Sequence, residues 1–150
     1  MSDLTLAYVG AWLAIWLAWF WVAIWEWFIA KKSVVALGKN PDLQGTLLVV
    51  TILGIALTES SAIYGLIIAL QILAKDGISW MAAIAAGLAV WLPGLAVGVG
   101  EGLVAWYAMD SILRNPEIKN KIMVFMILFI ALVESSAIYG LIIALQVLAK

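Results

Sequence analysis

The chain has 150 residues, 67% of them hydrophobic, with eight Lys or Arg, nine Asp or Glu and a net charge of −1. A soluble domain of this length is about half apolar, so a mean hydropathy of +1.15 excludes an ordinary water-soluble globule. There is no Cys and no His, which excludes a disulfide framework, a thiolate metal site and an imidazole proton shuttle. Any proton or cation chemistry must rest on carboxylates.

The predicted elements follow from where charge is missing. Residues 4–30 carry one charge, Glu26, within a Trp-rich run. The run is too long for a cleaved signal peptide, and no small-residue cleavage site follows it. The polar turn "GKNPD" comes next, then residues 43–74 with one charge, Glu59. A short link, "KDG", leads into residues 77–109 with one charge, Glu101; the turn "RNPE" leads into residues 122–149 with one charge, Glu134. Each run exceeds the roughly 20 residues that cross a bilayer as a helix. A spanning segment must satisfy its own backbone hydrogen bonds, so the four runs predict an all-α membrane protein with four transmembrane helices. Pro at each turn cannot continue a helix and pushes the residue before it toward extended geometry.

The chain is one unit written twice. Sliding the sequence by 75 residues aligns the halves without a gap, with 33 identities in 75 positions. Glu26 falls on Glu101, Asn40 and Pro41 on Asn115 and Pro116, Glu59 on Glu134 and Lys75 on Lys150. The match is uneven: 16 of the last 17 positions agree, against 9 of the first 38. Repeats set the architecture, and the expected domains are two tandem helical hairpins, residues 1–75 and 76–150. Lys31, Lys32, Lys39, Arg114, Lys119 and Lys121 cluster around the two turns, and only Lys75 and Lys150 lie at the opposite end. The positive-inside rule therefore places both turns in the cytoplasm and both termini outside.

All four glutamates in the apolar runs occupy equivalent places. Glu26 lies 15 residues before Pro41 and Glu59 lies 18 after it, so both stand roughly 22–27 Å from the turn. The same arithmetic pairs Glu101 with Glu134 near mid-membrane. A short carboxylate there cannot snorkel to water and costs about 2.5 kcal/mol or more, so matched pairs point to an ion or proton site. Two adjacent carboxylates cannot both ionise cheaply, and one must hold a proton or share a cation. Ser60 and Ser61, like Ser135 and Ser136, add hydroxyl oxygens beside each glutamate, the ligand type that hard cations take. Packing through small residues is the plain alternative for either Ser. Tyr64 and Tyr139 stand five residues after Glu59 and Glu134, about 140° around the helix, so neither phenol serves its own glutamate easily. The site must be completed by a neighbouring hairpin. Two hairpins close one such site internally; the second needs another chain, and repetition of that contact makes a ring.

A hairpin with a polar "RNPE" loop, a first helix "GLAVGVGEG" and a second helix "ALVESSAIYGL" resembles the rotor-ring proteolipid of rotary ATPases, the c-subunit of F-type enzymes. The doubled hairpin is similar to the proteolipid of V-type enzymes. The resemblance covers the second repeat and about half of the first. It implies an integral, multi-pass protein of a plasma or energy-transducing membrane, assembled from copies of itself in a homo-oligomeric ring. It also implies stator and central-stalk subunits as partners, and no nucleic acid. The turn residues Asn40, Pro41, Arg114, Asn115, Pro116 and Glu117 would meet the central stalk. Sodium-binding members have the closest pattern. Carried over, Glu134 and Glu101 would bind Na⁺ with Ser135 and the carbonyl of Leu132 on the adjoining hairpin, while Tyr139 would hold the glutamate shut and Ser136 a water. The equivalents in the first repeat are Glu59, Glu26, Ser60, Leu57, Tyr64 and Ser61. Transport of H⁺ alone is the alternative. No catalytic residue is implied, and nothing like a Walker loop is present.

The first helix departs from the family. Gly94, Gly98, Gly100 and Gly102 are the positions of backbone contact between inner helices in such rings, and their first-repeat counterparts are Trp19, Ala23, Trp25 and Trp27. Trp12, Trp16 and Trp19 fall within about 60° of one face, which also carries Glu26. This departure leaves two readings: a wider or differently packed ring, or an engineered or repurposed proteolipid-like ring not coupled to a motor. A small secondary transporter built from the two repeats is a third function; it should show helices interrupted at the midplane, and only Pro93-Gly94 suggests one.

Overall fold

A computed structural model describes residues 3–150, and the side chains of all of these but residues 3, 4 and 17. Helix α1 spans Asp3–Lys39, α2 Gln44–Thr58, α3 Ser60–Ala74, α4 Trp80–Arg114 and α5 Lys119–Ala149. Among the described residues there is no strand. The two turns are built alike. Asn40 (φ −146°, ψ 91°) and Asn115 (φ −135°, ψ 74°) leave the helical region ahead of Pro41 and Pro116, and each proline opens one turn of 3-10 helix. Gly77, at φ 69°, turns the link between the hairpins. The Ser79 hydroxyl then accepts from the Ala82 amide at 3.2 Å and caps α4.

Four segments are long and apolar enough to span a membrane, Thr5–Lys39, Pro41–Ala74, Trp80–Arg114 and Pro116–Ala149, each 34 or 35 residues. At 1.5 Å per residue such helices reach about 50 Å, so their ends pass beyond a hydrocarbon core about 30 Å thick. The protein is an integral membrane protein of two helical hairpins, α1 with α2 and α3, then α4 with α5.

Helices α1 and α4 pack side by side. The α2–α3 span touches both of them, and α5 lies against α4 and along the edge of α3. Two apolar clusters hold this bundle. One joins Ala7, Ala14, Ile68, Ile72, Ala83 and Ala144 at the end away from the turns. The other joins Ile29, Leu47, Val50, Met109, Ile112 and Met126 at the turn end. The four glutamates fall in the layer between them.

Glycine decides how closely the helices approach. A Cβ on Gly65 would stand 2.3 Å from the Ala14 carbonyl oxygen, and one on Gly140 would stand 2.4 Å from that of Ala89. These are the same contact in the two repeats, and they close each hairpin. Between hairpins the tightest approach is Gly87, whose Cβ would lie 2.4 Å from the Gly10 carbonyl oxygen. The expected stripe behaves differently. Within the chain the nearest atoms to a Cβ on Gly94, Gly98, Gly100 and Gly102 belong to the side chains of Ala18, Val22, Val133 and Trp25, and backbone comes no closer than 3.8 Å. The reason is the bulk of α1: its Trp25 fills the notch at Gly102, where a Cβ would sit 2.7 Å from the indole.

A second expectation is also corrected. Helix α4 runs unbroken through Pro93, and the second span carries only a one-residue irregularity at Glu59, whose backbone stays helical (φ −71°, ψ −21°). There the Glu59 amide donates to Ile55 O at 2.9 Å, and the amides of Ala62 and Ile63 return to Glu59 O at 3.0 and 3.2 Å. The same motif in the second repeat lies inside continuous α5.

Candidate functional site

The site builds from α4. Glu101 sits two turns after Pro93 and is wholly buried, because α4 is the helix that the others surround. Glu134, on α5, places its carboxyl beside that of Glu101. The third member comes from the other hairpin: the phenol of Tyr64, on α3, faces Glu134 and lies within electrostatic reach of Glu101. No carboxyl oxygen of Glu101 or Glu134 makes a hydrogen bond of good geometry, although all four are buried. Buried carboxyl oxygens are almost always satisfied, and the phenol of Tyr64 is a donor that faces this pair.

The hydroxyl and carbonyl oxygens stand in register with it. Ser60 precedes Tyr64 by four residues and shares its face of α3. The Ser60 hydroxyl donates to Leu57 O at 2.8 Å, and Ser135 repeats this bond to Leu132 O at 2.8 Å. Each bond holds two oxygens side by side while leaving lone pairs on both for a hard cation. Ser61 is buried against Gly94 and Gly98. Thr58, also fully buried, donates to Gly54 O at 2.8 Å, one residue before Glu59. Nothing in the repeat pattern marks Thr58 as a site neighbour, since its counterpart is Val133.

The other pair is open. Glu26 and Glu59 approach each other and, with Trp19, Val22 and Ala23, line a surface pocket of about 180 Å³. Glu59 is exposed, and so are Ser136, Leu132 and Tyr139, the last 65% accessible. The phenol beside Glu134 is therefore Tyr64, and Tyr139 does not close that glutamate within the chain. The physical reason is the helical offset of about 140° between residues five apart. Among the described residues no three carboxylates converge; each site has two.

The turns lie at the far end. Pro41, Arg114, Asn115 and Glu117 are exposed, while Asn40 and Pro116 are half-buried. Just inside the turns Lys32 reaches from α1 to α4, where it pairs with Asp110 and covers the Trp106 ring at 4.7 Å. Arg114 also bonds Asp110, at 3.3 Å. In the sequence the lysine and arginine read only as orientation charges; nothing in their spacing announces a bridge between hairpins.

Four apolar spans in two like hairpins, with carboxyl pairs in the mid-layer, define a tandem-hairpin membrane proteolipid. The family model of the ATP synthase c-subunit matches the chain twice, at residues 9–72 and 84–147. The chain belongs to this family of rotor-ring proteolipids. Among similar proteins, the chloroplastic ATP synthase c-subunit of Antithamnion sp. is 45% identical over 71 residues, covering 47% of this chain and 87% of that protein. That of Porphyra purpurea is 44% identical over 71 residues, with the same coverage. That of Oedogonium cardiacum is 48% identical over 65 residues, 43% of this chain and 78% of its own length.

Proposed function

We propose that this protein is a non-catalytic rotor-ring component of a rotary ATPase, F-type or V-type, that carries Na⁺ across the membrane on its glutamate pairs. The observation that carries the reading is the enclosed pair Glu101 and Glu134, whose buried oxygens make no hydrogen bond of good geometry within the chain. Two such carboxyls are costly in apolar surroundings unless neutralised. One Na⁺, one carboxylate and one carboxylic acid make a neutral complex, and neutrality is what the bilayer midplane favours. The oxygen set around it, Glu101 and Glu134 from the second hairpin with Ser60, Tyr64 and the Leu57 carbonyl from the first, suits a hard cation. Na⁺ here is cargo, taken up and released as the ring turns past a stator. The turns at Asn40-Pro41 and Asn115-Pro116 face the cytoplasm and dock on the central stalk. The twofold family match and the similarity to chloroplastic ATP synthase proteolipids support the rotary setting.

A hydrophobic carbodiimide tests the ion. It reacts with protonated carboxyls, so Glu59 and Glu134 become labelled at mildly acidic pH, and millimolar Na⁺ slows the reaction by displacing the proton. Labelling that ignores Na⁺ would assign the sites to H⁺ alone.

A further inference from the structure

The repeat supplies a rule for what surrounds the open pair. A contact between residue x of the first hairpin and residue y of the second, continued by one step to another copy, becomes a contact between x+75 of one copy and y−75 of the next, since the repeat is 75 residues long. Tyr64 beside Glu134 becomes Tyr139 beside Glu59, and both are exposed. Trp25 against Gly102 becomes Gly100 against Trp27; the indole is 58% accessible, and only Val133 lies within 4 Å of a Cβ built on the glycine. Lys32 over Trp106 becomes Tyr107 against Lys31, again an amine on a ring, with Tyr107 exposed. Within the chain an indole of α1 meets a glycine of α4 and a lysine of α1 meets an aromatic ring of α4, and the repeat offers the same kinds of partner on the two free faces. Tryptophans on one inner helix and glycines on the other are thus complementary on either side.

We propose that copies of this chain join head to tail, with Trp27 and Lys31 of one copy seated on Gly100 and Tyr107 of the next, and that this seam closes a second ion site, around Glu26 and Glu59, that is not equivalent to the internal one. The proposal rests on the rotor-ring reading. The inequality comes from the walls. Inside the chain Ser61 packs on Gly94 and Gly98. Across the seam Ser136 packs on Trp19 and Ala23, which line the pocket of Glu26 and Glu59. An indole therefore borders the second site where the first has only backbone. The step also fails to repeat at the end away from the turns. The approach of Gly87 to Gly10, 2.4 Å for a built Cβ, corresponds to Trp12 against Ala85. The seam between copies is wider there than the seam within a chain. Internal sites are pre-assembled on folding, and the sites between copies appear only on assembly.

The chain has no cysteine, so paired cysteines report the seam directly. Lys32→Cys with Asp110→Cys should cross-link within one chain and stay monomeric on a denaturing gel. The shifted pair, Val35→Cys with Tyr107→Cys, should give a ladder of multimers. A benzophenone amino acid at position 107 replaces one aromatic with another and should capture α1 of a second copy near residues 31–35. A ring seen by native mass measurement, with no ladder and only lipid adducts at position 107, overturns the seam and leaves the ring reading intact. No ring and no ladder overturn both. For the inequality, Trp19→Gly should change carbodiimide labelling of Glu59 several-fold and leave Glu134 unchanged. Equal change at both glutamates, or none at Glu59, shows that the two sites are alike.

Discussion

Glu134 and Glu59 open the same thirteen-residue stretch, "ESSAIYGLIIALQ", yet one faces an enclosed pocket with Glu101 and Tyr64 while the other is exposed on the edge of the bundle. Identical local sequence thus has two environments. What differs is the neighbour. Helix α5 has the first hairpin beside its glutamate, whereas the α2–α3 span has no hairpin on the matching side. The backbone differs little, since Glu59 keeps helical torsions (φ −71°, ψ −21°) and Glu134 lies inside α5. A binding motif in this protein is half a site, and its meaning depends on what packs against it.

The largest effects come from removing the charge. Glu134→Gln should abolish ion transport through the internal site, because the carboxyl that remains there, Glu101, is fully buried on α4. Glu101→Gln should retain cation binding with an altered pH dependence: the amide offers the ion the same oxygen and Glu134 the same donor, but no longer titrates. Na⁺ protection read at the surviving carboxyl compares the two. Loss of binding in Glu101→Gln beside normal binding in Glu134→Gln would reverse the roles.

Next come the glycines that hold each hairpin. Gly65→Ala and Gly140→Ala force a methyl to within 2.3 and 2.4 Å of a main-chain carbonyl, which cannot turn aside, so each should cost about 1–3 kcal/mol. Similar losses are expected in the two hairpins, read as unfolding midpoints in detergent. Gly94→Ala meets its nearest neighbour at 3.5 Å and should change little; a loss as large as at Gly65 would show that close backbone packing extends along the stripe after all.

The phenols sharpen the contrast between the pairs. Tyr64→Phe should alter the labelling rate of Glu134 a few-fold and spare Glu59, both in the ring and in dispersed chains. Tyr139→Phe should act on Glu59, and only in the ring. The smallest effect belongs to Lys32→Ala, which removes the pair with Asp110 and the contact with Trp106. At the turn end, where water is near, that should cost under about 1 kcal/mol, measured by the same unfolding assay.

The four spans, the two hairpins and the pairing of Glu26 with Glu59 and of Glu101 with Glu134 are legible in the amino-acid sequence alone. They rest on periodicity, on the scarcity of charge and on the rise of a helix, all of which are local. That each tyrosine must look away from its own glutamate is legible too, because helical geometry sets that angle. Tertiary packing was needed to settle which hairpin supplies the phenol, that Trp25 occupies the notch at Gly102, that α4 passes Pro93 unbroken, and that Lys32 ties the hairpins together through Asp110. Those outcomes depend on how two helices of very different bulk settle against each other, and no spacing along one helix encodes the shape of the surface it meets.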